Sequence, residues 1–459
     1  MPVLDSEDRH AQPNAAGAAP VPQRRVPQLT VPKSALGSLA WLSVGAVVVA
    51  VGYFVWLSLG VWGKQGLDFS VYWYAGKILN DAGTAPSDLY AGNVDWAGGP
   101  ALKFTYPPFA AVLFSQLARL PQATALGLFN ATGAIVAVLA AVRTVRYWNA
   151  KGDWRATFRS PGNCWAAAVL VLAVLNLGPW RETLMFGQIN ALLMGLMAAD
   201  LLARNPRWTH RFPGGGFLVG VAAGIKLTPL VFGLYYLVRK DWRGLLNMVA
   251  GFTATVMAGW LLRPVESVQF WFEMLPDTSR MGGAGYVDNL SLKGALLHFG
   301  VPEAFVTVPW LMLSLAVVAL GASVIKAASD QGARVVAVSA TALTMLLVSP
   351  VSWSHHWVWV AAAFPAFAWT LRETPRRYAR MRWTMGGVLG ISLLVFLFSP
   401  KTIGKALGAE NLDVQTPGLW IMASSAGVFC AVALLACWLV ALRRDSLAPE
   451  LELASSSTP

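Results

Sequence analysis

Asp68 is the residue in this chain best placed to do chemistry. It stands in Gly66-Leu67-Asp68-Phe69-Ser70-Val71-Tyr72-Trp73-Tyr74, directly after the first long apolar stretch and ahead of a run of aromatics. A carboxylate at a membrane edge is costly to desolvate unless it has a partner or a task, so it reads as a functional candidate. The plainer alternative is a solvated loop Asp before an interfacial aromatic belt.

Four further clusters place polar groups where they are expensive. Arg181-Glu182 and Gly187-Gln188-Ile189-Asn190 lie between two apolar runs. Gln and Asn there either cap a helix and bond across helices, or pair their amides with sugar hydroxyls. Ile225-Lys226-Leu227-Thr228-Pro229 sets a cation inside an apolar segment. Lys226 either snorkels to an interface or meets an anion such as a lipid phosphate. Ser352-Trp353-Ser354-His355-His356-Trp357 joins two spans. Adjacent histidines cannot share one helix face, so this pair alone makes a poor metal chelate. One His is expected to aim into a cavity, unless the motif is an interfacial Trp/His belt. Asn289, in Asn289-Leu290-Ser291-Leu292, belongs to a second polar loop and has little specificity by itself.

The elements that must position these groups are membrane helices. Across 459 residues the chain is 56% hydrophobic and only 13% charged, far from the composition of soluble domains. Its mean hydropathy is +0.53. Apolar stretches near 20 residues recur, long enough to cross a bilayer. The net charge of +12 gathers in short segments between those stretches, as cytoplasmic loops require, and does not mark a nucleic-acid binder. Cys164, Cys430 and Cys437 all fall within apolar runs and read as small hydrophobes.

The expected architecture is an all-α polytopic membrane protein with 11–13 transmembrane or re-entrant helices. Residues 1–33 read as a disordered cytoplasmic tail, 34–443 as one membrane domain and 444–459 as a second disordered tail. A first extracytoplasmic loop is expected over 62–105, with short juxtamembrane helices, and a second over 263–303. Basic loops at 143–159, 204–211, 239–243 and 372–382 should share the cytoplasmic side. The 214–238 segment lies between two of them, so it cannot cross once. Lys226 and Pro229 in its middle predict two half-helices that turn back. The chain shows no glycine-rich phosphate loop, which argues against a nucleotide-linked donor.

Taken in order, Asp68-Phe69-Ser70-Val71-Tyr72, Tyr106-Pro107-Pro108, Gly187-Gln188-Ile189-Asn190, Ile225-Lys226-Leu227-Thr228-Pro229 and Ser352-Trp353-Ser354-His355-His356 resemble glycosyltransferase family 87 of the GT-C superfamily. The resemblance covers about residues 34–440. It implies a GT-C-like fold in the plasma membrane, with an extracytoplasmic active site. It also implies an inverting α-(1→2) mannosyl transfer from polyprenyl-phosphate mannose to a glycolipid such as a phosphatidylinositol mannoside or lipomannan.

Carried onto this chain, the resemblance makes Asp68 the catalytic base, with His355 or His356 assisting. Lys226 and Arg181 would hold the donor phosphate. Tyr72, Tyr106, Gln188, Asn190, Asn289 and Trp353 would line the sugar or acceptor site. Asp68 has no second acid in an Asp-x-Asp arrangement, so no metal or other cofactor is expected. Membrane lipids are the other expected partners. A transporter or flippase of a lipid-linked sugar is the competing class, although transporters usually show two related halves.

Overall fold

In a computed structural model, the structure describes residues 66–81, 88–91, 93–94, 102–149, 160–202, 215–276, 283–408 and 418–444. The first span and both terminal tails lie outside the described residues.

The described residues are almost entirely helical, as the composition implied. The main helices are α1 (Leu67–Asn80), α2 (Pro108–Leu117), α3 (Gln122–Trp148), α4 (Pro161–Asn176), α5 (Gly178–Phe186), α6 (Asn190–Leu201), α7 (Phe217–Ile225) and α8 (Gly233–Val238). They continue with α9 (Trp242–Leu262), α10 (Leu292–His298), α11 (Thr307–Asp330), α12 (Arg334–Val348), α13 (Val360–Glu373), α14 (Ala379–Phe398), α15 (Pro400–Ala406) and α16 (Trp420–Arg443). Five of the described helical segments are long and apolar enough to cross a bilayer, and a sixth counts if α4 and α5, bent by 70°, form one span. The shorter apolar helices α2, α6 and α12 fill the spaces between them. One feature was not anticipated: Asn93–Val94 and Leu102–Lys103 form a two-stranded antiparallel pair in the first loop.

The expected turn back at 214–238 is present. Gly216 lies against Gly244, Gly220 against Met248 and Phe252, and Gly224 against Thr255, so α7 runs parallel to α9. Tyr236, near the other end of the segment, also packs on Gly244. Both ends therefore sit at the start of α9, and the tip reaches roughly 20 Å along it at 1.5 Å per residue. The break falls at Lys226, whose backbone is extended (φ −146, ψ 127), followed by a 3-10 turn over Thr228–Phe232. Pro229 explains it, because it has no N–H to offer the Ile225 carbonyl. Beyond the break, backbone bonding resumes with Leu230 N–H to Leu227 O at 3.0 Å. The N-terminus of α7 is closed by Asp200, which accepts from the Gly216, Leu218 and Val219 amides.

Among the described residues, contacts tie the helix ends that border the basic segments to one another. Arg143 donates to Ala198 O, Arg372 to Trp148 O, Arg239 to Ser329 Oγ and Gln331 to Leu442 O. The far end carries α1, tied to the end of α9 by Arg263 donating to Leu79 O at 2.9 Å. The multi-pass character agrees with the hydropathy pattern.

Candidate active site

The site forms away from the helix ends that border the basic segments, where α1, the α5–α6 link, the tip of the re-entrant pair and the turn at Ser354–Trp359 meet. Gly66 starts α1 in a left-handed conformation (φ 70), its amide bonded to Met185 O at 2.8 Å. That places Asp68 in the first helical turn, where the helix dipole favours a negative charge. Phe69 and Tyr72 face inward: Tyr72 stacks on Phe114 at 4.6 Å, and Phe69 packs on Phe129 at 5.2 Å.

The Gly187-Gln188-Ile189-Asn190 motif has a clear local cause. Gly187 is left-handed (φ 64) and ends α5, with Gly187 N–H to Leu184 O and Gln188 N–H to Thr183 O closing a Schellman cap. A Cβ at Gly187 would lie 2.6 Å from Phe69 Cβ, so only glycine lets α1 approach so closely. This contact delivers Gln188 to Asp68. Gln188 Oε1 accepts from Tyr72 Oη at 3.0 Å and from Asn190 Nδ2 at 3.1 Å, while the Gln188 side chain hydrogen-bonds Asp68. With its oxygen so occupied, the amide nitrogen is the donor to the carboxylate. Tyr72 Oη in turn meets Tyr106 Oη at 2.8 Å.

From Asn190 the network runs to the cation. Lys226 Nζ donates to Asn190 Oδ1 at 2.9 Å and contacts His356 Nε2 at 3.1 Å, with the Tyr106 ring 5.6 Å below. Asp68, Tyr72, Tyr106, Gln188, Asn190, Lys226 and His356 thus form one connected constellation. Burial pushes the Asp68 carboxyl up from 3.8 to about 6, opposed by the Gln188 hydrogen bond and by Lys226 and Lys401, with Asp288 adding to the rise. A small recess of about 30 Å³ opens beside His356 and Asn190, walled by Leu193, Met197, Pro229 and Met345 together with Thr228, Ser349 and Ser352.

The two histidines point to different places. His356 meets Lys226, whereas His355 is buried against Phe186 and beside Glu182 and Asp288. The other expected residues stand apart from the constellation. Arg181 spends its guanidinium on the carbonyls of Asn176 and Leu397. Asn289 is a backbone clamp: it donates to Ala284 O and Pro350 O and accepts from Ser352 N–H, fixing the segment that leads into the histidines. Trp353 packs on Tyr286 at 5.7 Å. Sequence reasoning missed Glu182, Asp288 and Lys401 as a group, because no local spacing joins them.

Known proteins resemble this chain over most of its length. The family model for glycosyltransferase family 87 matches residues 104–350. The chain is 34% identical over 373 residues to a Mycolicibacterium smegmatis protein named polyprenol-phosphate-mannose-dependent alpha-(1-2)-phosphatidylinositol mannoside mannosyltransferase, covering 78% of each chain. A Mycobacterium tuberculosis protein of the same name is 34% identical over 342 residues, covering 72% of this chain and 75% of its own. The chain belongs to glycosyltransferase family 87. A second M. tuberculosis relative, named as the corresponding phosphatidylinositol pentamannoside mannosyltransferase, is 30% identical over 408 residues, covering 87% and 88%. The family model takes in Tyr106, Gln188, Asn190, Lys226 and Asn289, whereas Asp68 and the histidine pair fall outside its matched range. Neither the family nor these relatives gives any support to a transporter.

Proposed function

We propose that this membrane enzyme moves a mannosyl residue from polyprenyl-phosphate mannose to a hydroxyl of a phosphatidylinositol mannoside, with inversion and an α-(1→2) product. The observation that carries the reading is Asp68 held by Gln188 and linked through Asn190 to Lys226, so that base and cation sit at two ends of one hydrogen-bonded chain.

Asp68 takes the proton of the acceptor hydroxyl as its oxygen bonds to the anomeric carbon. The bond from that carbon to the phosphate oxygen breaks, and its electron pair leaves on the polyprenyl phosphate. Lys226 uses two of its ammonium hydrogens on Asn190 and His356, which leaves one for a phosphate oxygen. Charge stabilisation of this kind in a water-poor site is worth several kcal/mol. Tyr72, Tyr106, Gln188 and Asn190 supply hydroxyl and amide partners for sugars. Written this way, the transfer draws its charge from protein groups and needs no metal at the reacting atoms.

The end that borders the basic segments is assigned to the cytoplasm, which puts the constellation on the extracytoplasmic side of the plasma membrane. The acceptor is taken to be a phosphatidylinositol mannoside and not lipomannan, following the relatives' names.

The test supplies purified enzyme with polyprenyl-phosphate mannose and each acceptor in turn, comparing wild type with Asp68→Asn. Wild type should form α-(1→2)-mannosyl product with the phosphatidylinositol mannoside, and the variant should lose about two to four orders of magnitude in rate. Equal turnover in both would end the base assignment. Product from lipomannan alone would move the acceptor.

A further inference from the structure

Behind the transfer constellation lies a second buried cluster that the proposed chemistry does not use. It gathers Glu182 of α5, Asp288 of the loop before α10 and His355 of the Ser354–Trp359 turn. One ligand-capable atom from each lies within 4.8 Å of the other two, the single such set among the described residues. All three side chains are buried, with His355 only 6% and Asp288 2% exposed.

The bonding within the cluster is lopsided. The outer contacts are made: Ser399 Oγ donates to Glu182 Oε1 at 3.1 Å, Ser354 Oγ donates to Oε2, and Lys401 Nζ holds Asp288 Oδ2 at 3.1 Å. The inner ones are missing. Asp288 Oδ1 and both ring nitrogens of His355 have no hydrogen-bond partner. Buried polar atoms without partners are rare in folded proteins, and a bound ion or ordered water commonly satisfies them. Here the atoms lacking partners come from the side chains that converge.

We propose that Glu182, Asp288 and His355 form a binding site for a divalent transition ion of the Zn²⁺ or Mn²⁺ class. The donor set decides the class. One imidazole with two carboxylates suits these ions, whereas Ca²⁺ asks for six to eight oxygens and Mg²⁺ keeps its waters. Ligands about 2.0–2.2 Å from one tetrahedral ion stand about 3.3–3.6 Å apart, so atoms now within 4.8 Å of one another must close by up to about 1.5 Å when the ion enters. The serine hydroxyls and Lys401 then orient the ligating carboxylates from outside, as supporting residues around metals commonly do.

The ion braces three segments distant in sequence and takes no part in the transfer. Its grip on His355 fixes the backbone that presents His356 to Lys226. The site is argued from its own geometry and stands whether or not the transfer reading does.

Tag-free protein purified in detergent, stripped with chelator and dialysed against Zn²⁺, Mn²⁺ or Mg²⁺, tests this by metal analysis and thermal unfolding. About one Zn²⁺ or Mn²⁺ per chain should rebind and raise the unfolding midpoint, with no such effect from Mg²⁺. His355→Ala and Asp288→Asn should each abolish rebinding, while His356→Ala keeps it. If His355→Ala does not fold, Asp288→Asn and Glu182→Gln carry the comparison. Three results would overturn the site: no stoichiometric metal in the wild type, metal that survives both ligand substitutions, or binding that appears only in Lys401→Met, which would make the lysine the native counter-charge.

Discussion

At the scale of single residues, the environment of Asp68 sets both a reactivity and a cost. A carboxyl raised to about 6 is a stronger base than a free Asp and is still ionised near neutral pH. Turnover should therefore fall as pH drops through about 6, measured as initial rate against pH with the pH stability of the enzyme checked separately. A profile flat down to pH 4.5 would remove Asp68 from the rate equation. The same shift has a stability consequence. The folded pKa lies above the ordinary value, so folding favours the protonated acid. The penalty is absent below about pH 4, grows through the interval and is complete above about 6, at roughly 2–3 kcal/mol. Asp68→Asn should accordingly unfold at a higher temperature than wild type at pH 7.5 while losing activity, with the gain shrinking at pH 4.5. A variant less stable than wild type at pH 7.5 would show that the carboxylate is better compensated than its burial implies.

Among the elements, the re-entrant pair has the strictest demands. Gly224 is closed off by Thr255, and Gly220 by the backbone of Met248 and Phe252, so α7 and α9 touch almost backbone to backbone. Small residues permit that approach between membrane helices. Gly224→Val should lower the unfolding temperature in detergent sharply and displace Lys226 from His356. Gly387→Ala is the matched control, because nothing lies within 4 Å of its added Cβ and a helical alanine is favourable. Similar stability losses in both would mean the close packing of α7 on α9 has no special weight. Pro229 was legible as the cause of the break because one residue suffices to prevent a hydrogen bond. The Schellman cap at Gly187 was less legible: Gly-Gln could have been a plain turn, and only the contact with Phe69 shows why glycine stands there.

For the whole molecule, the prediction concerns sidedness. Single cysteines replacing Asn149 and Arg243, placed in a background lacking Cys164, Cys430 and Cys437, should react with impermeant thiol reagents only from the cytoplasm. A cysteine at Lys77 should react only from outside. Labelling of Asn149 and Arg243 from opposite faces would mean that 214–238 crosses the bilayer, against the contacts of Gly216 and Tyr236 with Gly244.

Hydropathy, charge and proline positions determined the membrane class, most span positions and the break at Lys226, because each acts over one or two helical turns. The sequence alone also singled out Asp68, since a lone acid at a bilayer edge needs no partner to look out of place. Which groups share a hollow was decided only in three dimensions. Arg181 and Asn289, read from the sequence as ligands, bond backbone carbonyls outside the Asp68–Lys226 network. His355 and His356 are neighbours in sequence, yet the 3-10 turn aims them at different clusters. Glu182 and Asp288 meet across the fold because helix packing brings distant segments together, and no local pattern encodes that meeting.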